Sequence, residues 1–138
     1  MNKLTNYEKG YLEGLIDGEG CISLTQRNSG YSVVRPEVVI SNTNLKLINK
    51  VKKITGGNIS TMYHKNPKHK TCYSLKFTSK IMKEILPQLR LVIKEHKRKT
   101  ILKILVILKK RQHGIGRWYP DYSRKKLLKL VKSFYKNG

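Results

Sequence analysis

The sequence predicts an α+β domain in which two β-hairpins, each preceded by a helix, form a four-stranded antiparallel sheet, followed by a long helix and a C-terminal helical extension. Three observations predict it. Apolar and polar residues alternate with a period of two in four short segments, as along strands with one buried face. Those segments come in pairs, each joined by a turn-forming stretch that contains Gly or Pro. Before and after the pairs, apolar residues recur every three to four positions behind recognisable capping residues.

Thr5 with Glu8 three residues later spells a capping box, and Tyr7, Tyr11, Leu12 and Leu15 follow at helical spacing, so a helix is expected over residues 6–16. Gly18 and Gly20 are expected to end it. Ile22 and Leu24 then alternate with Cys21, Ser23, Thr25 and Arg27 along a first strand, and Asn28-Ser29-Gly30 supplies a turn. A second strand over residues 31–41 carries Val34, Val38 and Ile40 on one side and Arg35, Glu37, Val39 and Ser41 on the other. Pro36 within it points to an irregular or edge position.

Leu45, Leu47, Ile48, Val51 and Ile54 mark a helix ending at Gly56-Gly57, with Asn42 or Asn44 as its N-cap. The second hairpin is expected from strands at residues 59–64 and 71–78 around the basic loop that contains Pro67. Ser79 is expected to cap a short helix to Leu86, and Pro87 interrupts. A longer helix is expected from about Leu91 or Ile93 to Lys110, with Ile101, Leu102, Leu105 and Leu108 on its apolar stripe. The closing helix, from Ser123 through Tyr135, has Leu127, Leu128, Leu130, Val131 and Phe134 as its apolar residues.

The chain has 138 residues, room for one domain, and its 30 Lys and Arg against 8 Asp and Glu give a net charge of +22. At 38% hydrophobic residues it can build a packed core, which excludes a disordered basic tail. Such an excess steers association with a polyanion, and neither membrane anchoring nor small-molecule chemistry explains it. On composition alone a passive basic RNA-binding or ribosomal-type protein stands ahead of any enzyme. Cys21 and Cys72 lie far apart with no CxxC or CxxH, and none of the four histidines stands at metal-ligand spacing from them, so zinc is not expected. A reduced intracellular compartment, cytoplasm or organelle matrix, is expected, with no signal peptide and no membrane span.

The informative stretch is Leu12-Glu13-Gly14-Leu15-Ile16-Asp17-Gly18-Glu19-Gly20. It puts two carboxylates at the C-terminal end of a helix, where the dipole disfavours anions. A divalent cation completed by substrate phosphates would offset that charge. A capped helix running into an acidic turn reads the same residues without chemistry. Gly10 and Gly14, four apart, leave a helix face bare enough for a second helix to approach.

This stretch resembles the signature of the LAGLIDADG homing endonucleases at Leu12, Gly14, Leu15, Ile16, Asp17 and Gly20, with Glu19 in place of the second aspartate and Glu13 departing from an alanine. The predicted element order is similar to that family's αββαββα core, over residues 1–112 here, with 113–138 as an extension. The resemblance implies a metal-dependent DNA endonuclease that hydrolyses phosphodiesters at a long pseudo-palindromic site. Glu19 would be the metal ligand and catalytic carboxylate, with Mg2+ as cofactor and Mn2+ or Ca2+ able to substitute for binding. Gly14, Asp17, Gly18 and Gly20 would be structural parts of the motif, Asp17 bonding amides near the helix end. With a single signature in the chain, a homodimer is implied, meeting through Gly10, Tyr11, Gly14 and Leu15. The polar and basic residues beside the attacking water would be Asn42, otherwise only a helix cap, and Lys94, with Lys97 and Arg98 as alternatives.

The alternation also names the sheet face left open to double-stranded DNA. It carries Ser23, Thr25, Arg27, Val33, Arg35, Glu37, Val39 and Ser41 in the first hairpin, and Ser60, Met62, His64, Cys72, Ser74 and Lys76 in the second. Arg27 and Arg35 suit guanine, Glu37 suits cytosine, and Val33, Val39 or Met62 suit a thymine methyl. Lys65, Lys68, His69 and Lys70 at the second hairpin tip, with Lys109, Lys110 and Arg111, suit phosphates. Arg117, Trp118, Tyr119 and Tyr122 either wrap onto DNA or pack the last helix on the core. An RNA maturase of the same family, binding intron RNA, is the nearest alternative.

Overall fold

The computed structural model describes residues 3–29, 31–63, 65–109 and 121–136. Helix α1 (Asn6–Glu19) leads into strands β1 (Gly20–Ser29) and β2 (Tyr31–Asn42). Helix α2 (Leu45–Thr55) precedes β3 (Asn58–Met62) and β4 (Cys72–Lys76). Helix α3 (Ser79–Ile85), a 3-10 turn at Leu86–Gln88, α4 (Glu95–Lys109) and α5 (Asp121–Lys136) complete the chain. The sheet order is β1-β2-β4-β3, antiparallel at each junction. Among the described residues no helix is long and apolar enough to cross a membrane.

The capping box forms as its spacing requires: Thr5 Oγ1 accepts from the Glu8 amide at 3.1 Å and Glu8 Oε1 from the Thr5 amide at 2.9 Å. The Thr5 amide bond, then the Thr5 hydroxyl, hold the Glu8 carboxyl below the usual range. Helix α1 extends three residues past its predicted end, with Gly18 inside it. The Gly20 amide closes it onto the Ile16 and Leu15 carbonyls. Gly20 is extended, at φ −77°, so its role is space and not left-handed backbone. A Cβ there would lie 2.8 Å from Ile16 Cα and 2.9 Å from its carbonyl oxygen, far inside normal contact.

Other boundaries shift for local reasons. Asn28 and Ser29 belong to β1 and not to the turn. Pro36 sits on β2 beyond its last pair with β4, Val39–Lys76, on a length where its missing N–H removes no β2–β4 ladder bond. Asn44, not Asn42, caps α2, and Thr78, not Ser79, caps α3, their side chains accepting from Lys46 and Ile81 amides. The strands of the second hairpin are shorter than predicted, at Asn58–Met62 and Cys72–Lys76.

The helices cover one face of the sheet. Leu12 and Ile16 of α1, Val38, Ile40 and Leu75 of the sheet, Ile48 and Val51 of α2, and Ile101 and Ile104 of α4 are fully buried together. Helix α5 buries Leu127, Val131 and Phe134, while Leu128 stays exposed. It is tied down by Lys97 Nζ lying 5.4 Å from the centre of the Phe134 ring, by His96 Nε2 at 3.0 Å from the Ser133 carbonyl, and by Tyr135, whose hydroxyl donates to the Leu24 carbonyl at 2.8 Å. The opposite sheet face is uncovered by any described helix, and Cys21, Thr25, Arg35, Ser60, Met62 and Lys76 are exposed on it.

Two glycine substitutions separate space from helix propensity. Gly20→Ala is expected to cost about 1–3 kcal/mol because the Ile16 backbone must move. Gly10→Ala, where an added Cβ meets nothing within 4 Å, is expected to stabilise the isolated chain by about 0.5–1 kcal/mol. Thermal denaturation at low protein concentration checks both.

Candidate active site and nucleic-acid interface

The end of α1 is held by two residues acting reciprocally. The Asp17 carboxylate accepts the amides of Val92 at 2.7 Å, Ile93 at 3.2 Å and Lys94 at 3.0 Å. The Lys94 ammonium donates back to the carbonyls of Ile16 at 2.7 Å, Asp17 at 3.1 Å and Gly20 at 2.5 Å. A helix C-terminus leaves carbonyls without intrahelical donors and carries partial negative charge, and a cation with three donors answers both needs. The charge compensation that the sequence suggested for a divalent cation is therefore supplied in part by Lys94. The amides Asp17 binds belong to the segment ahead of α4 and not, as expected, to its own helix end. Those bonds also explain why α4 begins only at Glu95.

Lys97 and Arg98, the other basic candidates, are committed elsewhere. Lys97 lies against Phe134, and the buried Arg98 pairs with Glu95 and donates to the Leu86 carbonyl at 2.9 Å. That Arg98 bond, as the leading cause, holds the Glu95 carboxyl below its ordinary range.

Glu19 is exposed at the last position of α1. Asn42 Nδ2 donates to its Oε2 at 2.8 Å, and Asn42 Oδ1 accepts from the Asn44 amide at 2.7 Å. The backbone donor at Asn44 fixes which way the Asn42 amide points, so its NH2 group must face the carboxylate. Among the described residues, Glu19 forms no ion pair, and no three His, Cys, Asp or Glu gather as a metal site. The donor set is thus one oriented, hard carboxylate that could hold a divalent cation only with oxygens from elsewhere, which fits a magnesium shell finished by phosphates and water.

The predicted motif glycines differ in their surroundings. An added Cβ at Gly10, Gly14 or Gly18 meets nothing within 4 Å, so these positions leave an open strip along α1. Tyr11 and Leu15 are half-buried against the core. Tyr7 stacks on Tyr11 with ring centres 6.1 Å apart, and Lys50 Nζ lies 5.0 and 5.5 Å from the two rings.

On the open sheet face the register brings the predicted residues into rows. Thr25 stands opposite Arg35 and its hydroxyl donates to the Arg35 carbonyl at 3.2 Å. Ser41, Ser74 and Ser60 form one row across three strands, with Ser41 and Ser74 hydroxyls 2.7 Å apart. Val39, Lys76 and Asn58 form the next, and Ser23 faces Glu37. Lys76 Nζ and Glu37 Oε1 are 2.6 Å apart, an ion pair that the sequence did not reveal because it depends on the β2–β4 register. Lys65, Lys68 and Lys70 are exposed between β3 and β4, where Asn66 Oδ1 accepts from the Lys68 amide at 3.0 Å. Arg27 and Val33 pair in register, but their side chains lie outside those described, as do His64, the side chain of Lys109, Lys110, Arg111, Arg117, Trp118, Tyr119 and the side chain of Tyr122.

Burial raises the Asp17 pKa, but the three amides and the Lys94 ammonium together outweigh it and hold the carboxyl below its ordinary value. A depressed pKa gives stability that is present above the unfolded value of about 3.9 and is lost as pH falls through the folded one. Asp17→Asn is therefore expected to be less stable at pH 7 by about 1.5–3 kcal/mol, with the deficit shrinking below about pH 4. Urea titrations from pH 7 to pH 3 measure the difference.

The sequence profile described as LAGLIDADG endonuclease matches residues 12–108. No curated protein sequence matches the chain. Solved structures match at low identity. The archaeal intron-encoded homing endonuclease I-Vdi141I complexed with DNA aligns with a TM-score of 0.70 at 18% identity, over 96% of this chain and 85% of that one. I-SmaMI bound to an uncleaved DNA target in the presence of calcium ions aligns with a TM-score of 0.70 at 22% identity, over 99% of this chain and 46% of that one. This chain thus spans less than half the length of I-SmaMI. The homing endonuclease I-TnaI aligns with a TM-score of 0.65 at 18% identity, over 89% of this chain and 84% of that one. With the profile covering most of the chain, from the middle of α1 to the end of α4, the protein belongs to the LAGLIDADG endonuclease family.

Proposed function

We propose that the protein is a sequence-specific double-strand DNA endonuclease that acts as a homodimer, hydrolysing phosphodiesters with a divalent metal at a long pseudo-palindromic site. The observation that carries this reading is the exposed Glu19 carboxylate, oriented by Asn42 at one end of an open sheet face in a chain of net charge +22. The family supports nuclease chemistry, and I-Vdi141I and I-SmaMI are both seen bound to DNA, the latter in the presence of calcium ions. These matches do not favour the RNA maturase or the passive RNA-binding protein that composition left open.

In this reading Glu19 would hold Mg2+, with Mn2+ or Ca2+ able to replace it for binding, and the bound cation would supply water activation and charge stabilisation at the departing oxygen. Asn42 keeps the Glu19 carboxylate aimed. Lys94 is the one of the three candidate cations that reaches the end of α1, but its three donors are all taken by the carbonyls of Ile16, Asp17 and Gly20, so in place of the expected basic role beside the attacking water it positions the helix end that carries Glu19. Residues 1–112 form the catalytic core and 113–138 the extension. Ser23, Thr25, Arg27, Arg35, Glu37, Val39, Ser41, Ser60, Met62, His64, Ser74 and Lys76 face the bases, while Lys65, Lys68 and Lys70 meet phosphates. An intracellular, reducing compartment suits the free thiols of Cys21 and Cys72.

Dimerisation follows from arithmetic and shape. One copy of the described chain brings one Glu19, whereas cutting both strands of a duplex needs a carboxylate at each scissile phosphate, so two copies would supply the pair. The open strip at Gly10, Gly14 and Gly18 allows two α1 helices to approach closely, with Tyr11 and Leu15 beside it.

Glu19→Gln is expected to abolish magnesium-dependent cleavage of a selected target while binding as well as or better than the original, because it removes a negative charge near phosphates. Equal cutting would overturn the assignment. Gly14→Leu is expected to fold normally and sediment as a monomer that no longer cuts; a dimer of unchanged affinity would exclude the α1 interface.

A further inference from the structure

Of the sequence's 8 acidic residues, Glu37 alone lies in the four strands. It costs phosphate affinity on a face proposed above to meet DNA, and the present inference rests on that reading. Its carboxylate is held by Lys76 at 2.6 Å, joining β2 to β4 across the outer surface. The residues opposite the pair in register, Ser23 for Glu37 and Val39 and Asn58 for Lys76, are all neutral.

We propose that Glu37 and Lys76 act as one unit that reads the polarity of a single base pair in the major groove, Glu37 accepting from an exocyclic amino group and Lys76 donating to the keto oxygen opposite. A carboxylate only accepts and an ammonium only donates, so neither role can be exchanged. In a base pair the amino and keto groups are hydrogen-bonded to each other, about 2.9 Å apart. The 2.6 Å separation of Glu37 Oε1 and Lys76 Nζ places an acceptor and a donor side by side at nearly that spacing. Cytosine N4 with guanine O6, and adenine N6 with thymine O4, both present the required order. Guanine adds N7 as a second acceptor for the ammonium, so cytosine is preferred to adenine on the strand facing Glu37. Reversing the base pair sets donor against donor and acceptor against acceptor, and such pairs are rejected.

Selection of binding sites from a randomised duplex library in Ca2+ tests this with the full chain, the charge-swapped Glu37→Lys/Lys76→Glu and the uncharged Glu37→Leu/Lys76→Met. The unmodified protein should show one position per half-site favouring cytosine, then adenine, by about tenfold or more over guanine and thymine. The swapped variant should reverse that position to guanine and thymine and leave the rest of the consensus intact. The uncharged variant should erase the preference there alone, which keeps the test decisive if the swapped chain fails to fold. A swapped or uncharged variant with the original preference at every position would overturn the inference while leaving the endonuclease reading in place. Failure of the unmodified protein to select any sequence would overturn that reading itself.

Discussion

The reciprocal hold of Asp17 and Lys94 on one another's backbone is the constraint on which the rest of the site depends. It joins residues more than 70 positions apart and uses six hydrogen bonds, three from each direction. Each is charge-assisted, the stronger class of protein hydrogen bond. Because Lys94 bonds the carbonyls of Ile16, Asp17 and Gly20, it fixes the point where helix turns into strand. Glu19 stands within that point and so inherits its position from the clasp. Asn42 then has only the carboxylate's rotation left to set.

The same point sets the sheet. Gly20 opens β1 opposite Ile40, and from there the register runs outward to Ser29 and Tyr31. Only Gly lets the chain leave α1 so close to Ile16. The β3 and β4 strands are half the length of the first hairpin's or less, so the outer face is four strands wide near the end of α1 and two strands wide beyond it. Near the site its rows are small and mostly neutral, with three serines in line, while Arg35 lies farther out.

A strongly cationic chain also has to place its few acids where they stabilise the fold or perform chemistry. Glu8 caps α1, Asp17 binds three amides, Glu95 pairs with the buried Arg98, and Glu37 pairs with Lys76. Among the described residues Glu19 differs from Glu37 and Glu95 in having no paired cation, and from Glu8 and Asp17 in being held by a side-chain amide and not by backbone amides. A carboxylate without a paired cation in a field of positive charge is available to a metal ion, whereas one already neutralised by lysine or arginine would first have to lose its partner.

The sequence by itself determined the element order, the motif and the two faces of the sheet. Each of those is a local property: a period of two or near 3.6, a capping pair such as Thr5 and Glu8, or a contiguous signature ending at Gly20. It placed Glu19 at a helix end and Arg35, Ser41, Ser74 and Lys76 on the outer face without any structure. It misplaced the end of α1 and the start of α4, because both are set by the Asp17 and Lys94 bonds, which no local pattern encodes. Only the tertiary structure decided that Asn42 aims Glu19 while Asn44 caps the helix, that Lys94 and not Arg98 reaches the site, and that Glu37 is paired with Lys76. The physical reason is common to all three: each depends on which groups of segments distant in sequence come within about 3 Å of a side chain, and that distance is fixed by packing and strand register.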